Sequence, residues 1–147
     1  MVSRKHQHGE RELLSRYGRV TSWHASLSEC AERPRGVPPR RESRASIQLK
    51  GEFTEPVGEV TRFLIQVSST DKPDIGNTDL PTVGAFISIN PELQGVVDMA
   101  EGHFQELLTL AASGHLARCF VAFTVPFGRS AKIVSIDFST RAPDHEP

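Results

Sequence analysis

From Ser46 onward the chain alternates. Ile47, Leu49 and Phe53 fall on one side of a period-two pattern, and Gln48, Lys50, Glu52 and Thr54 on the other. That alternation is the signature of a half-buried strand, and it predicts a first strand over 46–54. "EPVGE" then supplies turn residues, and a second strand follows over 60–68 with Phe63, Ile65 and Val67 on one face. "STDKPDIGNTDLP" (69–81) is polar and long for a loop. A third strand is predicted over 82–89, with Val83, Ala85, Ile87 and Ile89 facing together.

At Asn90 the period changes. In "NPELQGVVDMAEGHFQELLTLAASGH" the residues Leu93, Val97, Ala100, Phe104, Leu107 and Ala111 step by four and three, which predicts one amphipathic helix. Asn90 is a favoured N-cap, Pro91 suits the first helical position, and Gly114 suits the position just past the end. Two more strands follow, 117–125 and 131–139, joined by "PFGRS". Cys119, Val121, Phe123 and Val125 share one face of the first, and Val134, Ile136 and Phe138 one face of the second. The element order β-β-β-α-β-β predicts an α+β fold, a mainly antiparallel five-stranded sheet with one helix packed on one face.

The first 45 residues show no sustained periodicity. "ERELLSRYGRV" offers only a weak helical spacing, interrupted by Gly18, and "PRGVPPRRESR" (34–44) holds three prolines, which fix φ and remove donors. All eight phenylalanines lie beyond residue 46. The predicted organisation is therefore a disordered, Arg/Pro-rich tail and linker at 1–45, an α+β domain at 46–140 and a frayed C-terminus at 141–147. A start codon assigned too far upstream is one way such a tail arises.

Charge sharpens this division. Residues 1–45 carry ten Lys or Arg against five Asp or Glu, net +5, and the remainder seven against thirteen, net −6. Arg33, Arg35, Arg40, Arg41 and Arg44 in the arm can contact nucleic-acid phosphates. A net-negative domain repels a polyanion, so this is an alternative reading rather than the leading one. The two cysteines, one in each part, imply no disulfide framework. With no apolar stretch long enough for a membrane span, the expectation is a cytoplasmic protein.

No motif identifies chemistry. His6 and His8 form one short pair with His24 and Cys30 downstream, short of the four closely spaced ligands of a structural zinc site. Asp71, Asp74 and Asp79 lack the alternation and closing glutamate of a calcium loop. "FGRSAK" joins two strands and opens no helix, so it lacks the amides that cradle phosphate. No cofactor and no metal is expected. His103, mid-helix, is the runner-up catalytic residue, a general base in a pocket between the helix and loop 69–81.

One helix covers one sheet face. On the other, Leu64, Phe86, Phe120 and Ile133 supply about one large apolar residue per strand among polar neighbours. A row of this kind marks an interface. The leading expectation is a small non-catalytic domain that binds an unidentified protein, or itself as a homodimer, through that uncovered face.

Overall fold

The structure, a computed structural model, describes residues 12–33, 35–73, 75–77 and 79–140. Among the described residues nine strands and one helix run in the order β1 (Leu13–Glu32), β2 (Arg40–Val57), β3 (Val60–Thr70), β4 (Gly76–Asn77), β5 (Leu80–Pro81), β6 (Gly84–Ser88), β7 (Leu93–Ala100), α1 (Glu101–Ala112), β8 (Arg118–Thr124) and β9 (Ala131–Ser139). Seven of the strands close a barrel in the order β1–β2–β3–β7–β6–β9–β8, and β8 returns to pair with β1. Every barrel pair is antiparallel except β3–β7. β4 and β5 form a separate two-stranded piece within the expected loop 69–81.

The expected alternation fills the barrel. Ile47, Leu49, Phe53, Phe63, Ile65, Val67, Cys119, Val121 and Phe123 are all buried, and Phe104, Leu107 and Ala111 of α1 complete the core. Each large apolar side chain taken from water contributes roughly 1.5–3 kcal/mol. Gly18 and Gly51 let β1 and β2 close over this interior. A Cβ at Gly18 would lie 2.7 Å from Cε2 of Phe63, and one at Gly51 2.6 Å from Cζ of the same ring.

Two expectations about the elements are corrected. The sheet has seven strands instead of five: 93–100 is strand β7, paired with β3 and β6, so that only 101–112 is helix, and β1 is the other additional strand. Leu93 and Val97 are four apart, a spacing that satisfies both the helical period and period two. Gly95 and the β-branched Val96 and Val97 resist a helix interior, and pairing on both sides decides for strand. The helix end is as expected. Gly114 has φ +77°, its N–H donates to the Ala111 carbonyl, and the His115 N–H donates to the Leu110 carbonyl, a Schellman motif.

The second correction concerns the tail. Residues 1–11 and 141–147 lie outside the described residues, but 13–32 form β1 and 40–45 open β2, so the expected boundary at Ser46 falls inside a strand. The prolines do not break either strand. Pro38 and Pro39 sit between them, beside Gly36 at φ +77°. β1 is stabilised by partners rather than by its own burial: Leu13–Arg19 pairs with β8 and Gly18–Glu32 with β2. Leu14 and Val20 pack on the core.

Candidate binding edge on the β1–β2 ribbon

The four residues expected to line an exposed face do not share one. Phe86 and Ile133 have no exposed surface and belong to the core. In β6, apolar residues occupy both parities, and pairing with β7 turns Phe86 inward, leaving Ile87 59% exposed. In β9 a register shift opposite Ala122 and Phe123 leaves Val134 unmatched, so Ala131 and Ile133 point inward on one side of it. A one-residue slip of this kind exchanges faces. Leu64 and Phe120 do lie on the outer surface, both half-buried. Leu64 has Lys50 and Gln94 opposite it on its two neighbouring strands, so it is isolated among polar groups. Phe120 is partly covered by Tyr17 of β1, ring centroids 4.6 Å apart, and the Arg118 guanidinium lies 4.9 Å over the Tyr17 ring. The apolar row dissolves.

The ribbon takes its place. β1 and β8 part at Val20, whose N–H donates to the Ala117 carbonyl. From Thr21 to Glu32, β1 has β2 as its only ladder partner among the described residues, and β2 pairs with β3 only from Ser46. From Ser22 to Ser26 β1 is therefore the open edge of the sheet continued by β2 and β3, and from Leu27 to Glu32 it runs on with β2 alone as a two-stranded ribbon whose two edges are open among the described residues. Thr21 is the bulged residue at which this begins, and its hydroxyl donates to the Lys50 carbonyl over 3.2 Å. The sequence carries a signal for this segment: in "SWHASLS" (22–28), Trp23, Ala25 and Leu27 alternate strictly with polar residues. The alternating stretch is short and its surroundings basic and proline-rich, which hides the alternation.

The two edges differ in chemistry. The β2 edge carries Arg40, Arg41 and Arg44, and charge along an edge discourages a further strand. These arginines are engaged within the ribbon. On one face Arg40 reaches Glu32 and Glu42, each at 3.2 Å, and Arg44 reaches Glu42 at 2.7 Å; on the other Arg41 reaches Glu29 at 3.3 Å. The hydrogen bond from Arg44 holds the Glu42 carboxyl below its ordinary value. Exposed pairs of this kind add little stability, but they neutralise three of the five arginines on which phosphate binding would rest. The β1 edge from Thr21 to Ser28 contains no Asp, Glu, Lys, Arg or Pro. Trp23 there is 44% exposed and Leu27 76%.

A cleft of about 720 Å³ lies between the ribbon and the first turn of α1, lined by Leu27, Glu29, Ser43, Ser69, Glu101 and Gln105. His103 is not part of it. His103 is exposed on another side of α1, beside a shallow groove with Glu106, Ile136 and Asp137. The expected pairing of that histidine with a pocket at the 69–81 loop is thereby corrected: Glu101 and Gln105, one turn apart, face the cleft instead. Of the expected acidic loop, Asp74 lies outside the described residues. Among the described residues no group of three or more His, Cys, Asp or Glu stands close enough to hold a metal ion, and no helix is long and apolar enough to cross a membrane.

Compared with known proteins, the chain matches no family model, no curated protein and no solved structure.

Proposed function

We propose that this protein is a non-catalytic binding module that takes up an extended polypeptide strand along the open edge of β1. One observation carries the reading: from Thr21 to Ser28 the edge is unpaired among the described residues and bears neither charge nor proline. Unpaired main-chain N–H and C=O groups template a further strand, and folded proteins ordinarily blunt such edges with lysine, proline or bulges. Strand addition gains affinity from main-chain hydrogen bonds and specificity from alternate side chains. Trp23 and Leu27 are the side chains available for the second task. From Leu27 onward β1 and β2 form a ribbon of two strands only, which is marginally stable in water and gains from a third strand. The basic-arm reading is weaker, since Arg40, Arg41 and Arg44 already face glutamates.

The experiment is selection from a displayed library of random linear peptides against the purified chain. Enriched peptides should alternate apolar and polar residues, and Leu27→Lys should abolish their binding by charging the edge. Selection of no peptide, or of peptides indifferent to Leu27→Lys, would overturn the reading.

A further inference from the structure

Resting on the edge-binding reading, we infer that the strand taken up is the same segment of a second copy: Thr21–Glu29 pairs antiparallel with itself about a two-fold axis at Ala25.

Backbone geometry limits the possible axes. In an antiparallel ladder, opposed residues either both direct their N–H and C=O toward the partner or both direct them away. Along one strand these two states alternate. When a strand meets its own copy, residue i can therefore oppose only a residue of the same parity, so the axis passes through a residue and never between two. The same rule puts like faces together, so inner-face side chains meet inner-face side chains. A closed two-fold dimer of this kind is the commonest symmetric assembly and leaves no repeating edge for a filament.

Side chains then choose among the allowed axes. With the axis at Ala25, Trp23 of each copy opposes Leu27 of the other, twice over, and Ala25 meets Ala25. The exposed apolar side chains of the edge are thus matched, and an aromatic–aliphatic pair across strands is a stabilising combination. Ser22 meets Ser28, His24 meets Ser26, and Glu29 meets Thr21, so no like charges are opposed. An axis at Ser26 instead sets Trp23 against Glu29. An axis at Leu27 sets Trp23 against Ala31 and Ala25 against Glu29. An axis at His24 shortens the ladder and opposes Leu27 to Thr21. The ladder with Ala25 at its centre also ends where the edge ends, because Val20 is already bonded to Ala117. The β2 edge carries three arginines, and charge along an edge discourages a further strand, which leaves β1 as the edge for a second copy.

Cysteine placement tests both the partner and the register. Residues opposed across an antiparallel ladder have Cα atoms about 4.5–5.5 Å apart, inside the ~4.4–6.8 Å a disulfide spans. In a Cys30→Ser background, mild oxidation of Ala25→Cys should give a covalent dimer rapidly. Leu27→Cys in the same background should not, since its copy lies four residues away along the partner, roughly 14 Å at the rise of a strand. Sedimentation of the unmodified full chain over a concentration series should show a monomer–dimer equilibrium that Leu27→Lys abolishes. Equal cross-linking of the two cysteine variants, or a monomer at every concentration, would overturn the self-pairing. If the chain is monomeric while selected peptides still bind through the edge, only the identity of the partner fails. If both fail, the edge reading falls with it.

Discussion

Trp23 and Leu49 face each other across the β1–β2 ladder, yet Leu49 has no exposed surface and Trp23 retains 44% of its own. The two side chains share a face and differ in what covers them. Leu49 has Ile65 of β3 on its other side, whereas β1 at Trp23 has already parted from β8. The contrast marks the place where β1 becomes an open edge of the barrel wall.

Stability should follow that boundary. Leu49→Ala should cost about 2–5 kcal/mol, the range for emptying a buried leucine site. Trp23→Ala should cost about 1 kcal/mol or less at concentrations where the chain is monomeric. Urea unfolding of both variants checks the difference, and comparable losses would place Trp23 within the core.

Phe86 and Ile87 offer the complementary test of facing. Phe86→Ala should destabilise by about 3–5 kcal/mol, because it empties the space beside Phe123, whose ring centroid is 5.2 Å away. Ile87→Ala, at a 59% exposed position, should change stability by roughly 0.5 kcal/mol or less. Thermal or urea denaturation that ranks them the other way would restore the opposite parity for β6.

Gly51 is required for close approach rather than for a turn. A Cβ there meets the Arg19 carbonyl oxygen and the Phe63 ring together, and the first is backbone that cannot swing aside. Gly51→Ala should therefore destabilise by about 1–3 kcal/mol, the usual cost of overpacking. Gly102→Ala, where a Cβ meets nothing within 4 Å, should stabilise α1 by up to about 1 kcal/mol. Paired unfolding curves decide this.

Cys119 gives a pH dependence. Burial pushes its thiol from an ordinary 9.0 up to about 12, so the folded protein keeps the neutral thiol where the unfolded chain ionises. The contribution is intact below pH 9 and is lost as pH rises from there toward about 12. Over that window stability should fall by about 1.4 kcal/mol per pH unit from this group, and Cys119→Ala should remove that component of the slope. The exposed Cys30 should react with a thiol reagent in the native state at neutral pH while the buried Cys119 does not.

The sequence by itself determined the strands whose two faces differ. Ile47, Leu49 and Phe53 alternate with polar residues and Gly51, and Phe63, Ile65 and Val67, then Cys119, Val121 and Phe123, keep the larger or more regular apolar set on one side, so period two specified both the element and its inward side. It also placed the end of the helix at Gly114, a local matter of φ and capping. Tertiary structure decided whatever local pattern left balanced. Leu93 and Val97 suit strand and helix equally, and two flanking strands, β3 and β6, resolved them as strand. Apolar residues on both sides of β6 left Phe86 free to face either way, and a bulge at Val134 reversed the side of Ile133. Most of all, residues 13–32 bury little of themselves, so the one alternating stretch among them, Trp23, Ala25 and Leu27, is too short and too poor in apolar residues to announce a strand of this length. Their order comes from hydrogen-bonded partners distant in sequence, and the edge they leave open is a property of where those partners stop.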